Sequence, residues 1–290
     1  MGSCSSQGGG SNKIASSCPS QNQQTKQPGS DEAIKEALDK IKNKLMIMSG
    51  KGGVGKSSVT INLAMALADK GFKVGILDVD IHGPDIPRML GIKDMLEMTE
   101  DKKLAPLKYS DNLKAVSIEA LSVNKDDAII WRGPMKYSAI NQFLGEVKWG
   151  ELDYLLIDSP PGTGDEPLTI AQKINDAQAV IVTTPQEISL ADVRKSINFC
   201  NTVKMKMLGL VENMSGCVCP HCSETIPLFG TGGGEKTAKD AKINFLGKIP
   251  FDSNMVKCGD AGKSFLKEHP NSPMAKAFLE TAQKIINNTK

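Results

Sequence analysis

Short, mainly apolar runs alternate with helical patterns from residue 31 onward. Most of these runs are too apolar to face water on one side, which is typical of strands covered by helices on both faces. Because strands alternating with helices form βαβ units, the sequence predicts an α/β fold with a doubly wound, mostly parallel sheet flanked by helices. The predicted strands are Leu45–Met48, Val74–Leu77, Leu113–Ile118, Tyr154–Ile157, Val180–Thr184, Leu208–Glu212 and Asn244–Gly247. The predicted helices span about 31–43, 57–70, 134–147, 166–175, 190–205, 234–242 and 272–287.

The first helix is predicted from a cap and a spacing. Ser30 is a suitable N-cap, and Ile34, Leu38 and Ile41 recur at helical intervals. Residues 1–30 have a different composition, since Ser, Gly, Gln and Pro fill 20 of the 30 positions. Such a segment buries too little apolar surface to offset its ordering entropy. We therefore expect a flexible tail over 1–30 and a single domain over 31–290.

Charge and composition exclude several classes of protein. The chain has 35 basic and 33 acidic residues, and its small excess of positive charge lies in the tail. A neutral body offers no basic stripe for nucleic acid, so we expect no nucleic-acid partner. No apolar run approaches the roughly 20 residues of a membrane span, and no signal peptide is visible. Seven cysteines in 290 residues are too few for a disulfide scaffold. These features predict a cytoplasmic protein without a membrane partner.

A glycine-rich segment follows the first predicted strand and fits two patterns. Gly50, Gly52 and Gly55 satisfy the dinucleotide-binding spacing G-x-G-x-x-G. The more demanding phosphate-loop pattern G-x-x-x-x-G-K-[ST] is also satisfied and alone explains Lys56 and Ser57. In such a loop, backbone N–H groups surround phosphate oxygens, the lysine contacts the β- and γ-phosphates of ATP, and the serine hydroxyl binds Mg²⁺. The predicted nucleotide-binding residues are Gly50, Lys51, Gly52, Gly53, Val54, Gly55, Lys56, Ser57 and Ser58.

A second glycine-rich stretch, at 230–237, imitates this loop. Glu235 stands where the phosphate loop has the glycine before its lysine, and an acid there would repel phosphate. This stretch is predicted to be the start of a helix.

Cys219 and Cys222 enclose Pro-His and present two thiolates from one tight turn. A tetrahedral metal or iron–sulfur centre needs four ligands, and a second copy of the chain would supply the other two. An iron–sulfur cluster and a structural zinc ion both accept four thiolates, so both stay open. Cys217 is interpreted as incidental, and Cys200, inside an amphipathic helix, as buried.

Lys51, directly after the first glycine, makes the phosphate loop resemble the deviant Walker A group that includes ParA, MinD, ArsA and the nitrogenase iron protein. In that group the early lysine reaches the nucleotide of a dimer partner. Leu77–Asp80 resembles the group's first switch, and Asp153–Gly162 resembles its Walker B strand and second switch. The resemblance implies a homodimer.

More specific segments make the chain similar to the Mrp/ApbC (Nbp-type) family of P-loop ATPases, which carry iron–sulfur clusters. The resemblance covers about 44–270. It implies an ATP-binding, slowly hydrolysing homodimer that assembles or delivers a [4Fe–4S] cluster to apo iron–sulfur proteins. The segments that carry it are Asp78–Pro87, Trp131–Met135, Asp158–Asp165, Glu212–Ser215, Cys219–Cys222, Phe229–Glu235 and Gly247–Asp252.

The same resemblance implies individual roles. The catalytic residues would be Lys51, acting across the dimer, Lys56, Asp80, which positions water, and Asp158, which supports Mg²⁺. Asn213 would meet the adenine, and Pro250 would lie beside the nucleotide. Cys219 and Cys222 of each copy would bind a bridging [4Fe–4S] cluster.

The tail departs from the family pattern. Long-tailed members carry Cys-x13-Cys-x2-Cys-x5-Cys, and Cys4 and Cys18 match the first spacing. Gln21 and Gln27 occupy the next two positions, so the sequence predicts a weakened site rather than a second working cluster.

Two alternatives to the cluster carrier remain. One is a ParA/MinD-like positioning ATPase, for which the C-terminal helix would be a membrane anchor. The polar face of that helix is not notably basic, and we expect its apolar residues to pack on the domain. The apolar residues of this helix are Phe278, Leu279, Ala282, Ile285 and Ile286. The other alternative is a nucleotide switch with a structural zinc ion between two copies of the chain.

Overall fold

The computed structural model describes residues 29–80, 83–117, 133–219, 222 and 224–290. Cys4, Cys18 and Trp131, for which the sequence makes predictions, lie outside these residues. In chain order the strands are β1 (Ile41–Ser49), β2 (Val74–Asp78), β3 (Glu97–Met98), β4 (Leu104–Ala105), β5 (Leu107–Lys108), β6 (Leu113–Ser117), β7 (Leu152–Asp158), β8 (Gln178–Thr183), β9 (Lys206–Val218), β10 (Thr225–Ile226) and β11 (Phe245–Phe251). The helices are α1 (Asp31–Leu38), α2 (Lys56–Asp69), α3 (Ile86–Met89), α4 (Gly133–Glu146), α5 (Asp165–Lys173), α6 (Glu187–Thr202), α7 (Gly233–Asp240), α8 (Ser253–Asp260), α9 (Phe265–Glu268) and α10 (Pro273–Thr289).

Within the described residues, nine strands form one sheet in the order β10-β9-β8-β1-β7-β2-β6-β5, and β11 also pairs with β9. The inner pairs are parallel, whereas β10 and β5 pair antiparallel with their neighbours. From β1 the chain adds β8, β9 and β10 on one side and β7, β2, β6 and β5 on the other, so connections run in both directions as in a doubly wound sheet. The predicted fold class is confirmed.

The strand β1 shows why the central runs are apolar throughout. Leu45 and Ile47 point into the core that α2 and α10 cover, whereas Met46 and Met48 point into the core that α1, α4 and α6 cover. All four side chains are fully buried. Alternate residues of a strand face opposite sides, so a strand buried on both sides must be apolar at every position.

The first helix is shorter than predicted. Ser30 caps it as expected, accepting a hydrogen bond from Ala33 N at 3.3 Å. The helix ends at Leu38, however, and Ile41 begins β1, where it pairs with Leu152. Ile41 is buried as a strand residue, and its spacing from Leu38 imitates a helical interval across the turn between the two elements.

The helix α8 was not predicted from the sequence, and the remaining differences concern short elements. The strands β3, β4, β5 and β10 have two residues each, and α3 and α9 have four. Elements this short contain no full hydrophobic period, so the pattern does not predict them. The strand β9 runs six residues past its predicted end at Glu212, which brings it to the cysteine pair.

The C-terminal helix α10 packs against β11 and α2, as predicted. Phe278, Ala282, Ile285 and Ile286 are buried, but Leu279 is 37% exposed, contrary to the prediction. None of the helices among the described residues combines the length and apolar character needed to cross a bilayer.

Candidate functional site

The phosphate loop lies between the carboxyl end of β1 and the start of α2. Gly53 and Gly55 both have a φ of +77°, a left-handed conformation that favours glycine. Gly55 is the N-cap of α2 and provides no side-chain cap, so the first-turn N–H groups of the helix face the loop. This arrangement is an anion site at a helix N-terminus.

Two glycines of the loop are required by close neighbours. A Cβ on Gly50 would lie 2.3 Å from the carbonyl carbon of Asp192 in α6, and one on Gly55 would lie 2.4 Å from Asn213 Nδ2. A Cβ on Gly53 would meet no described atom within 4 Å. The loop is therefore held between α6 and β9, and its middle remains open.

Lys56 is buried among carboxylates at the start of α2. Its Nζ lies 3.0 Å from Asp158 Oδ2 and 3.9 Å from Asp80 Oδ2. Asp158 ends β7 and also accepts hydrogen bonds from Ser57 Oγ at 2.6 Å and Thr60 Oγ1 at 2.7 Å. The structure thus brings together all four of these predicted residues. Thr60 was missed by the sequence analysis, although it lies one helical turn after Lys56 on the same face.

A second carboxyl group lies directly beside Asp158. Asp78 ends β2, and the two aspartates are paired in register across the sheet. Asp78 is fully buried and accepts hydrogen bonds from Ser117 Oγ and Asp80 N, each at 3.1 Å. Burial, with the nearby Asp158 carboxylate as the second cause, raises the pKa of Asp78 well above its usual value. Lys56 therefore faces two adjacent acids at the strand ends.

A cavity of about 290 Å³ opens over the loop. Its walls include Lys51, Asp80, Asp85 and Pro161. Lys51 is half-buried there, and its carbonyl accepts a hydrogen bond from Ser49 Oγ at 2.9 Å. One lysine, one serine hydroxyl and two carboxylates around a loop of backbone N–H groups fit a phosphate chain with Mg²⁺.

Asn213 in β9 forms the side of the site next to Gly55. Its Nδ2 donates to Val54 O at 2.9 Å, while its buried Oδ1 has no hydrogen-bond partner among the described residues. Pro250 follows Ile249 in β11, which pairs with Asn213. The unpaired oxygen is an acceptor held beside the phosphate loop.

The cysteine pair lies at the far end of β9, where β9 and β10 form a hairpin. Cys219 N donates to Glu224 O at 2.9 Å, and the Cys222 thiol points to Glu224 Oε2 at 4.0 Å. Cys219 is half-buried and Cys222 is exposed. The described part of the chain contains no group of three or more His, Cys, Asp or Glu placed to hold a metal ion.

The other described cysteines differ from this pair. Cys217 is half-buried and points to Val218 O. Cys200 lies in the core as predicted, and burial raises the pKa of its thiol to about 11. Cys258 in α8 is also buried, and burial is the main cause that raises the pKa of its thiol. The last two thiols are poor candidates for metal binding because a ligand must be a thiolate.

Comparisons with known proteins agree with this geometry. The chain is 49% identical over 257 residues to the iron-sulfur cluster carrier protein of Saccharolobus solfataricus, covering 88% of this chain and 87% of that protein. It is 47% identical over 281 residues to the cytosolic Fe-S cluster assembly factor NUBP1 homolog of Brugia malayi, covering 92% and 90%.

Solved structures show the same architecture. A nucleotide-binding protein of Archaeoglobus fulgidus, in complex with ADP and with cobalt found in it, matches with a TM-score of 0.74 and 44% identity over 86% of this chain and 97% of that one. The cell division ATPase MinD of Pyrococcus furiosus matches with a TM-score of 0.61 and 25% identity, over 85% and 99%. The family model for NUBPL iron-transfer P-loop NTPases of the ParA group matches residues 40–286. With the phosphate loop and the paired cysteines in place, this chain belongs to the NUBPL iron-transfer family of P-loop NTPases.

Proposed function

We propose that this chain is a cytosolic, homodimeric ATPase that carries a [4Fe–4S] cluster and delivers it to apo iron–sulfur proteins. The observation that carries this proposal is the course of β9. One strand contributes Asn213 to the phosphate loop and then continues to the thiols of Cys219 and Cys222. The names of the relatives, which are iron–sulfur cluster carriers and cytosolic assembly factors, support the same function.

The nucleotide is proposed to be ATP. The Asn213 amide group donates through Nδ2 to the loop, which leaves Oδ1 as a buried acceptor. Adenine offers an amino donor where guanine offers a carbonyl oxygen, so this acceptor favours adenine. Pro250, beside Asn213 in the sheet, would complete the wall against the base.

Hydrolysis is assigned to the residues around Lys56. Its ammonium group would stabilise the charge on the γ-phosphate during in-line attack by water, and Asp80 would hold that water. Ser57 and Asp158 would hold Mg²⁺, which neutralises phosphate charge when bound. The described side chains facing the cavity include no histidine, and a carboxylate is a weak base, so we expect slow turnover.

The homodimer is inferred from two incomplete sites on one edge of the sheet. The carboxyl ends of β9, β8 and β1 are neighbours, and they carry the cysteine pair, the start of α6 and the phosphate loop with Lys51. Two cysteines supply half of the ligands that a cluster needs. Ile188, at the start of α6, is 70% exposed, and Leu228, which follows β10, is 52% exposed. A second copy on this edge would cover these apolar residues and complete the cluster site.

The test is anaerobic reconstitution with iron and sulfide, followed by absorption spectra, metal content and mass of the assembly. We expect about four iron atoms per dimer, with loss of both the cluster and its visible absorbance in Cys219→Ala/Cys222→Ala. The matched control is Cys217→Ser, two residues before the pair, which should keep the cluster. Tightly bound zinc without uptake of iron would contradict the carrier and indicate a nucleotide switch with a structural metal.

A further inference from the structure

The second glycine-rich stretch surrounds an anion that the chain itself supplies. Glu212 in β9 is fully buried, and its carboxylate accepts hydrogen bonds from Gly232 N at 2.8 Å and Gly234 N at 2.5 Å. Ser215 Oγ donates to the same carboxylate at 2.5 Å. These three bonds satisfy a charge that would otherwise be costly to bury.

The glycines of this stretch are explained by the cap and by close neighbours. Gly232 has a φ of +82° and is the N-cap of α7 without a side-chain cap, so Glu212 acts as the cap from another element. A Cβ on Gly234 would lie 3.0 Å from Glu212 Oε2, and one on Gly233 would lie 2.6 Å from Pro185 O. Gly232 is therefore favoured by its backbone conformation, Gly233 by the backbone of Pro185, and Gly234 by the Glu212 carboxylate.

The strand β9 is irregular directly after Glu212 and Asn213. Met214 has a φ of 55°, which is uncommon for a residue with a side chain, and Gly216 has a φ of 75°. The pairing with β11 is irregular between Asn213 and Cys217, where a step of four residues in β9 matches a step of two in β11. Sheet pairing therefore does not fix residues 214–216, which precede the pairing of Cys217 and Val218 with β10, and the bond between Ser215 and Glu212 lies within this segment.

We propose that Glu212 is a positioning residue that sets the cysteine hairpin relative to the nucleotide site. It lies at the end of the regular part of β9, where it pairs with Thr183 and Lys248, and it binds both Ser215 and the loop of α7. Its carboxylate holds the irregular segment in one conformation, so that Cys219 and Cys222 emerge in the orientation that binds a metal. This inference rests on the proposed cluster site.

The experiment compares Glu212→Ala, Glu212→Gln and Glu235→Gln. Glu235 lies in the same loop, but it is exposed and pairs with Lys248 at 2.7 Å, so Glu235→Gln is the matched control. Two readouts follow the thiols: the affinity of the cysteine pair for Co²⁺, from its thiolate absorption, and the rate at which a chelator removes iron from the reconstituted cluster. We expect Glu212→Ala to weaken Co²⁺ binding and speed iron loss by about tenfold, as for other groups that support metal ligands.

Acetate distinguishes positioning from general destabilisation. Added acetate should occupy the space of the missing carboxylate in Glu212→Ala and restore both readouts, whereas chloride at equal ionic strength should not. Glu212→Gln keeps the side-chain volume without the charge, and we expect an intermediate defect in both readouts. This variant takes the place of Glu212→Ala in the comparison if the alanine variant does not fold. Wild-type readouts in Glu212→Ala, or defects that acetate leaves unchanged, would overturn the inference. If the wild type binds Co²⁺ but assembles no iron cluster, the proposed function is contradicted and the inference on Glu212 is not. The Co²⁺ affinities of the variants then still decide the role of Glu212.

Discussion

The two glycine-rich loops of this protein differ in what fills them. At the start of α2 the loop opens into a cavity, and the charged groups that line it include the ammonium groups of Lys51 and Lys56. At the start of α7 the loop closes on the buried carboxylate of Glu212. Both use backbone N–H groups at a helix N-terminus, which attract anions. The difference shows that such a loop is a ligand site only where the chain does not provide the anion.

The surrounding charges follow the same division. Around α2, Lys56 pairs with Asp158 and Asp80, and in the proposed function its ammonium group would turn to phosphate while Asp158 would hold Mg²⁺. Around α7, Glu212 is fully buried and accepts three hydrogen bonds, so we expect its carboxylate to keep these partners. One loop is therefore suited to binding and the other to holding the structure.

Replacement of Lys56 should produce the largest effect on activity at the open loop, the glycine-rich loop before α2. We expect Lys56→Ala to lower the rate of ATP hydrolysis by at least about a hundredfold, because the charge that stabilises the transferring phosphate is lost. The control is Lys44→Ala, since Lys44 is also buried and pairs with Asp176 at 2.7 Å, outside the described nucleotide cavity. Equal losses in the two variants, measured as phosphate release, would contradict a specific role.

The same variant should also change the pH dependence of stability. Lys56 lowers the pKa of Asp78, so its removal adds to the rise that burial and Asp158 already cause. An acid with a raised pKa in the folded state favours folding at low pH, and this contribution is lost as pH rises above the unfolded value. The free energy of unfolding of Lys56→Ala should therefore keep falling to higher pH than that of the wild type, and curves that level off at the same pH would contradict this.

The glycines of the open loop should differ in their effects on stability. Gly50→Ala places a Cβ against the backbone of α6 and should cost about 3 kcal/mol of unfolding free energy. Gly53→Ala meets no described atom and should cost only the left-handed strain, about 1 kcal/mol. Urea denaturation measures both values. A Gly53 cost equal to that of Gly50 would show that the loop is not held against α6 as described.

The sequence predicts the open loop well and the closed loop poorly, for a physical reason. The binding residues around Lys56 follow each other along the chain or end neighbouring apolar strands, so spacing alone brings them together. The partners of the closed loop are far apart, since Glu212 precedes Gly234 by 22 residues. Only the fold shows that they meet.

Local patterns failed in two further places. Ile41 continued a helical spacing by chance, and only its pairing with Leu152 shows that it belongs to a strand. Thr60 was unmarked because a threonine inside an apolar helix gives no signal until Asp158 is placed beside it. Both errors arise where a contact between distant segments decides the structure.

The smallest expected effect is the most direct test of the comparison. Glu235→Gly gives the second loop the full pattern G-x-x-x-x-G-K-[ST], from Gly230 to Thr237. Sequence alone then predicts a second nucleotide site, whereas the structure predicts none, because the carboxylate of Glu212 already occupies the backbone N–H groups. In Lys56→Ala/Glu235→Gly, calorimetric titration with ATP should show no more binding than in Lys56→Ala alone. Additional saturable binding in the double variant would mean that the glycine pattern, and not the anion already inside it, decides which loop takes a nucleotide.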